Sequence, residues 1–202
     1  MKLALAILAA AALLYAADTL EVFGRAWDVP VATDWSIAQE NGSQVLKLVT
    51  HRGPPPGPRR PIQFALAKTP EFRKAKLEAD VMPLQRSLML VFAYKDEAHF
   101  DYAHLSTDTG TKQPVHNGIF HVFGGERVRI SSLDGPPAFP AINEWRHVEL
   151  NFDGTSGKVS VKVDGQALPA LQAVDLSLTG GRVGLGSFDE TACFKNVKIS
   201  GQ

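Results

Sequence analysis

Polar and apolar residues alternate with a period of two along most of the chain, a pattern typical of β-strands with one face on a core. In residues 76–81 the charged side chains alternate with Leu77, Ala79 and Val81. The same spacing recurs in 145–152 and 158–163, whereas no stretch of eleven or more residues has helical spacing. The pattern therefore predicts an all-β protein.

Turn residues separate about a dozen short predicted strands. They include 45–50, 61–67, 76–81, 87–94, 100–105, 118–123, 127–131, 145–152, 158–163, 182–188 and 194–199. The strand at 87–94 is apolar on both faces, so we expect it at the centre of a sheet and covered on both sides. Many short strands with turns between them indicate an antiparallel two-sheet sandwich.

The first residues have the pattern of a secretory signal peptide. A basic start is followed by an unbroken apolar stretch at 3–14 and by small residues before Asp18. The apolar stretch is shorter than the roughly 20 residues that span a bilayer. We therefore expect a signal peptide at 1–17 and one domain at 18–202, secreted or periplasmic and not associated with a membrane after cleavage.

The amino-acid composition argues against several classes of ligand and metal site. Of the 202 residues 45% are hydrophobic, and 21 basic residues balance 21 acidic ones to give a formal net charge of zero. This balance excludes the bulk electrostatic attraction of a nonspecific nucleic-acid or anionic-membrane binder. The single cysteine, Cys193, can form neither an intramolecular disulfide nor a four-cysteine metal site.

Several motifs, taken together, resemble a known family. They are Phe100-x-Tyr102-x-His104, His116-Asn117, the closing stretch 181–189 (GRVGLGSFD) and Phe194-x-Asn196-Val197. Their order resembles the concanavalin A-like, laminin G-like jelly rolls of secreted bacterial proteins, in particular the family labelled 3-keto-disaccharide hydrolase domain. The resemblance covers nearly the whole mature chain, and the closing stretch is its most specific part. It implies an antiparallel jelly-roll sandwich whose concave sheet can hold a glycan, but this fold hosts lectins, binding modules and hydrolases alike.

The predicted glycan site is centred on one strand. Phe100, Tyr102 and His104 share a strand face, where aromatic rings suit the apolar side of a pyranose. We expect these three side chains to be partly exposed. The remaining predicted ligand contacts are Arg60 from the proline-rich segment 53–61, Tyr94, His116 and Asn117. The alternatives are that Phe100 and Tyr102 belong to the core and that Arg60 is a surface arginine.

The sequence contains three further candidate sites with less support: an acid pair, a group of histidines and a calcium ligand. Glu78-x-Asp80 has the spacing of a glycosidase acid pair, but a solvated strand face explains it better. Five histidines fall between residues 99 and 147, and three interpretations stay open: a transition-metal site, scattered polar residues or sugar contacts. Asp189 stands where laminin G-like jelly rolls hold a structural calcium, although a turn-forming role is the alternative. No other cofactor is expected.

The function best supported by the sequence is noncatalytic recognition of a carbohydrate or another extracellular polymer. The first alternative, implied by the resemblance, is cleavage of 3-keto glycosides. The keto group acidifies the neighbouring C–H bond, so that His104 as a single base could start an elimination. The second alternative is a purely structural extracellular module.

Overall fold

The computed structural model describes residues 17–53 and 57–202, and within these residues fifteen strands form two antiparallel sheets. The predicted signal peptide lies outside the described residues except for Ala17. The only α-helix in the described part is the four-residue α1 (Gln113–His116). None of the described helices has the length and apolar character needed to cross a membrane.

The larger sheet has eight strands in the order β1-β2-β5-β14-β7-β8-β9-β10. Their bounds are β1 (Asp18–Val22), β2 (Arg25–Val29), β5 (Gln63–Ala67), β7 (Ser87–Asp96), β8 (His99–Ser106), β9 (Gly118–Phe123), β10 (Glu126–Arg129) and β14 (Arg182–Ser187). Strands β7 to β10 follow one another as antiparallel neighbours. This meander brings residues from a continuous part of the sequence onto one surface.

The smaller sheet has seven strands in the order β13-β12-β11-β6-β15-β4-β3. Their bounds are β3 (Trp35–Glu40), β4 (Ser43–Leu48), β6 (Lys74–Pro83), β11 (Arg146–Asp153), β12 (Lys158–Val163), β13 (Gln166–Val174) and β15 (Ala192–Gly201). The main core lies between the two sheets, where the rings of Phe92 and Phe152 are 5.2 Å apart. The predicted two-sheet β-sandwich is confirmed.

A second apolar cluster lies on the outer face of the eight-stranded sheet. Alternation along β8 sends Ala103 and Leu105 into the main core, whereas Phe100 and Tyr102 join this second cluster. Strand β7 contributes to both clusters, and residues 87–93 are all buried. The prediction of a central strand covered on both sides is therefore confirmed.

The glycines of the closing stretch allow neighbouring backbones to approach closely. A Cβ atom on Gly184 would lie 2.6 Å from the Ala65 carbonyl oxygen, and one on Gly186 would lie 2.2 Å from that of Gln63. Both carbonyls belong to β5, which pairs with β14. Any side chain at these positions would push the two strands apart, which explains the spacing of glycines in this motif.

Candidate functional site

The predicted site residues of β8 project from the outer face of the eight-stranded sheet, but other parts of the chain cover them. Phe100 and Tyr102 are fully buried, and His104 is 2% exposed. The expectation that these three would be partly exposed is therefore wrong. The segment that follows Gly57 covers this face, because the Arg59 guanidinium lies 5.1 Å from the centre of the Phe188 ring.

Arg60 and Tyr94 border the second cluster at the β7–β8 turn. Arg60 donates a hydrogen bond from Nε to the Glu97 carbonyl at 2.9 Å, which ties the proline-rich segment to that turn. The Tyr94 ring packs 5.7 Å from Phe64 and 5.8 Å from Phe100. Burial raises the pKa of Tyr94 to about 12, so its hydroxyl stays protonated at neutral pH.

Asn117 has a structural role at the end of α1. Its side chain is 1% exposed, and its Oδ1 accepts hydrogen bonds from the backbone N–H groups of Ser106 and Ala138 at 2.9 and 3.0 Å. Its Nδ2 donates to the Ser106 hydroxyl at 2.8 Å. The expected place of Asn117 at an open rim is therefore wrong, because its amide connects two loops and offers no free group to a ligand.

A polar network occupies the same sheet face beside the aromatic side chains. We define it as Ser87, His104, Glu190, Arg86, Asp108 and His116. The Ser87 hydroxyl donates to Glu190 at 2.7 Å and lies 2.9 Å from His104 Nε2. Glu190 also accepts the Ser87 backbone N–H and pairs with Arg86 at 2.6 Å. These contacts hold a buried carboxylate with both a hydroxyl and a guanidinium.

The network continues from Arg86 to the loop before α1. Arg86 Nε lies 3.6 Å from Asp108 Oδ2, and the same carboxylate oxygen is 2.5 Å from His116 Nδ1. The His116 ring meets that of His104 edge-on at 5.4 Å. His116 is 18% exposed in its side chain, so this end of the network reaches the surface.

His104 is neutral in the folded protein. Burial is the main cause that lowers its pKa well below the usual value, and the positive charges of His116, Arg127, Arg86 and Arg59 add to the effect. Arg86 and Arg59 are each paired with a carboxylate, of Glu190 and Asp189, so that their charges are largely balanced locally. Arg127 is different, because none of the ion pairs among the described residues includes it.

Arg127 and Arg59 form what we call the arginine rim, together with the Phe188 ring between them. The Arg127 guanidinium lies 4.8 Å from the Phe188 ring centre and 5.4 Å from that of Phe120. It donates a hydrogen bond to the Tyr102 hydroxyl at 3.2 Å. Within the described residues no carboxylate lies at ion-pair distance from Arg127, so most of its donors remain available.

Asp189 lies next to the arginine rim. Its carboxylate pairs with Arg59 at 3.3 Å. It belongs to no group of three or more acidic, histidine or cysteine side chains in the described part of the chain. The ion pair with Arg59 gives Asp189 a role without a metal, and the structural calcium stays a prediction.

Two open grooves lie against the seven-stranded sheet. One of about 1030 Å³ is lined by Lys76, Asn151, Ser160 and Gln172 of four adjacent strands. A smaller one of about 580 Å³ contains Glu78 and Asp80, both partly exposed. Here Asp80 accepts hydrogen bonds from Asn196 at 2.7 Å and bonds His147 at 2.9 Å. These side chains satisfy one another, as expected for a solvated strand face.

Solved structures with the same architecture identify the fold. The chain superposes on the carbohydrate-binding module CBM66 from Bacillus subtilis with a TM-score of 0.60 and 17% identity, covering 86% of this chain and 94% of that one. The chain has the concanavalin A-like jelly-roll fold. A protein of unknown function with a galectin-like fold from Bacillus subtilis matches this jelly roll with a TM-score of 0.52 and 17% identity, over 82% and 86% of the two chains.

A larger enzyme contains the same jelly roll. The xylan β-1,4-xylosidase from Bacillus halodurans C-125 matches with a TM-score of 0.53 and 15% identity, over 86% of this chain but 36% of that one. No family model matches the chain, and no curated protein matches it significantly. At these identities the comparisons establish the fold, and the site must be argued from its own residues.

Sequence reasoning missed Arg59, Arg127, Phe188 and Glu190. Phe188 stands in the closing stretch that carried the resemblance, but its contacts come from distant parts of the chain. Arg127 belongs to the β9–β10 hairpin and Arg59 to the proline-rich segment. The sequence contains one local signal for this site. Glu190 closely follows an apolar strand, and a carboxylate that is buried there requires a charged or hydrogen-bonding partner.

Proposed function

We propose that the chain is an exported, noncatalytic carbohydrate-binding module whose ligand docks at the arginine rim. The fold supports this proposal, because the same jelly roll occurs in a solved protein named as a carbohydrate-binding module. The apolar start of the sequence supports export. Because the Phe100 and Tyr102 rings are buried, the proposed ligand contacts are the guanidinium groups of the arginine rim.

Arg127 carries the proposal. Its planar guanidinium lies over two aromatic rings and makes one hydrogen bond, to the Tyr102 hydroxyl, within the described residues. A guanidinium held in this way keeps its remaining N–H donors in a fixed plane, which suits two adjacent oxygens of a sugar ring or a carboxylate. Arg59 lies over the same Phe188 ring and brings a second guanidinium to this surface from the proline-rich segment.

The catalytic alternative would use His104 as a base. Its Nδ1 has no hydrogen-bond partner within the described residues and could accept a proton, although burial lowers the pKa of His104 and weakens it as a base. However, the side chain is 2% exposed beneath the arginine rim, which leaves no open path to a substrate C–H bond. Burial therefore favours binding over cleavage, and assays with 3-keto and ordinary disaccharides should give no turnover.

A glycan-array screen of the purified protein, followed by calorimetry with the best ligand, tests the proposal. We expect Arg127→Gln to weaken binding at least roughly tenfold, because it removes a charged donor pair from the ligand. The control is Arg73→Gln, which changes an exposed arginine outside the arginine rim. It should leave the affinity unchanged.

A variant in the groove of about 1030 Å³ tests which of the two sheets carries the ligand site. Gln172→Ala alters the groove on the seven-stranded sheet without touching the arginine rim. If Gln172→Ala abolishes binding and Arg127→Gln does not, the ligand site lies on the other sheet and the proposal is wrong. Failure to bind any glycan or related polymer would instead favour the purely structural module.

A further inference from the structure

Three ionisable side chains meet at one edge of the sandwich, away from the arginine rim. They are Asp101 of β8, His121 of β9 and Asp175, which follows β13. His121 Nδ1 lies 2.6 Å from Asp101 Oδ1 and 3.4 Å from Asp175 Oδ2. The first two residues are directly paired in the eight-stranded sheet, whereas the third directly follows β13, the edge strand of the seven-stranded sheet. The cluster therefore bridges the two sheets.

Alternation places this cluster on the core side of the sheet. Asp101 shares its strand face with Ala103 and Leu105, and its side chain is 3% exposed. A carboxylate among core residues requires compensation, because burial of an unpaired charge is costly. Burial raises the pKa of Asp101, and the negative charge of Asp175 acts in the same direction against the opposing effect of His121.

The cluster does not neutralise itself. Two carboxylates face one imidazole, and no lysine or arginine of the described residues is paired with any of the three. A bound cation would remove this imbalance, and the opening beside Asp175, whose side chain is 20% exposed, gives it a route from solvent.

Asp175 is oriented toward the other two residues. Its Oδ1 accepts hydrogen bonds from the Ser177 hydroxyl at 2.8 Å and from the Ser177 backbone N–H at 3.2 Å. Its Oδ2 is buried and has no hydrogen-bond partner within the described residues. A carboxylate anchored by one oxygen, with the other turned toward an imidazole and a second carboxylate, is the usual arrangement of a metal ligand.

We propose that Asp101, His121 and Asp175 form a binding site for a divalent transition-metal ion, with Zn²⁺ or Mn²⁺ as the best-suited occupants. One candidate ligand atom from each residue lies within 4.8 Å of the other two. Ligand atoms around a tetrahedral ion with bonds of about 2.1 Å lie roughly 3.4 Å apart. The separation of 3.4 Å between His121 Nδ1 and Asp175 Oδ2 already fits this value, whereas the contact of 2.6 Å between His121 and Asp101 would have to widen by somewhat less than ~1 Å to admit the ion. A nitrogen donor with two carboxylates fits these ions better than Ca²⁺, which prefers oxygen ligands alone.

The ion would connect the two sheets where β9 lies against the segment after β13. Binding to the folded state alone would stabilise the sandwich by mass action. The site is separate from the proposed glycan contacts, because it lies on the inner face of β8 and not on the outer one. Its test is therefore independent of the proposed function.

The experiment uses tag-free protein that has been treated with a chelator and dialysed. Titration with Zn²⁺ by calorimetry should give one ion per chain, and thermal unfolding should shift to higher temperature with added Zn²⁺. Asp175→Asn should weaken Zn²⁺ binding at least roughly tenfold and remove the thermal shift, because it replaces a charged ligand in a loop. Mn²⁺ should bind at the same stoichiometry, and Ca²⁺ should bind more weakly.

The matched control is His147→Gln, which removes another histidine that lies 2.9 Å from an aspartate, Asp80. This variant should bind Zn²⁺ as the unaltered protein does. The proposal is overturned if the unaltered protein binds no Zn²⁺, if Asp175→Asn binds it equally well, or if Ca²⁺ is preferred. In each of these cases the cluster is an ion triad centred on His121.

Discussion

The imidazole Nε2 of His104 lies 2.9 Å from the Ser87 hydroxyl, which itself donates to Glu190 at 2.7 Å. Because the hydroxyl has one proton and gives it to the carboxylate, it must accept the hydrogen of Nε2. This arrangement leaves Nδ1 of His104 as an unprotonated atom in a buried position. In the neutral imidazole the contact therefore places the single proton on Nε2.

The first prediction concerns the pH dependence of stability. The pKa of His104 is lowered in the folded state, so below about pH 6.5 the unfolded chain binds a proton that the folded chain does not. The free energy of unfolding should fall as the pH decreases through this range, with a slope from this residue of up to about 1.4 kcal/mol per pH unit. Urea unfolding at pH 7.5, 6.5 and 5.5 measures it.

His104→Gln should reduce this slope, since glutamine does not titrate. His51→Gln, at an exposed position, serves as the control and should keep the slope of the unaltered protein. An equal slope in His104→Gln and the unaltered protein would mean that other groups dominate the acid response.

The second prediction tests the glycines of β14. Gly186→Ala should lower the free energy of unfolding by roughly 3 kcal/mol, because its Cβ would lie 2.2 Å from the backbone of β5. Gly53→Ala is the control, as no atom of the described residues beyond its chain neighbours lies within 4 Å of its added Cβ. Chemical denaturation of both variants measures the difference, and similar stabilities would contradict the close approach of the two strands.

The third prediction assigns Asn117 to folding. Asn117→Ala removes four side-chain hydrogen bonds and leaves the Ser106 and Ala138 N–H groups without their acceptor. We expect a loss of roughly 3 kcal/mol in the free energy of unfolding. Asn151→Ala, which removes one side-chain bond to Glu149, should cost clearly less. Unchanged stability together with lost glycan binding would restore Asn117 as a ligand contact.

The fourth prediction is that residues 18–202 unfold in one cooperative transition. The main core is formed jointly by both sheets, so neither sheet can keep its inner face buried alone. Tryptophan fluorescence and far-ultraviolet circular dichroism should give coincident curves in urea. Two separated transitions, or two stable halves after limited proteolysis, would contradict it.

Much of the fold could be predicted from the sequence, because alternation reports local geometry directly. Strands β9 and β12 have the predicted bounds, and the apolar run in β7 indicated its central place. Strand β13 (Gln166–Val174) escaped prediction because Pro169 and an irregular register interrupt its alternation. Strands β1 to β3 are short and lie outside the predicted strands.

The sequence by itself determined which side chains share a strand face, because that depends only on the period of two. It did not determine which face is covered, since this depends on where distant segments lie. The Phe100 and Tyr102 face is covered because Arg59 and Arg127 come over it from a loop and a hairpin. Likewise, only the pairing of β8 with β9 and the packing of the segment after β13 bring Asp175 to Asp101, because contacts between sheets leave no periodic signal in the chain.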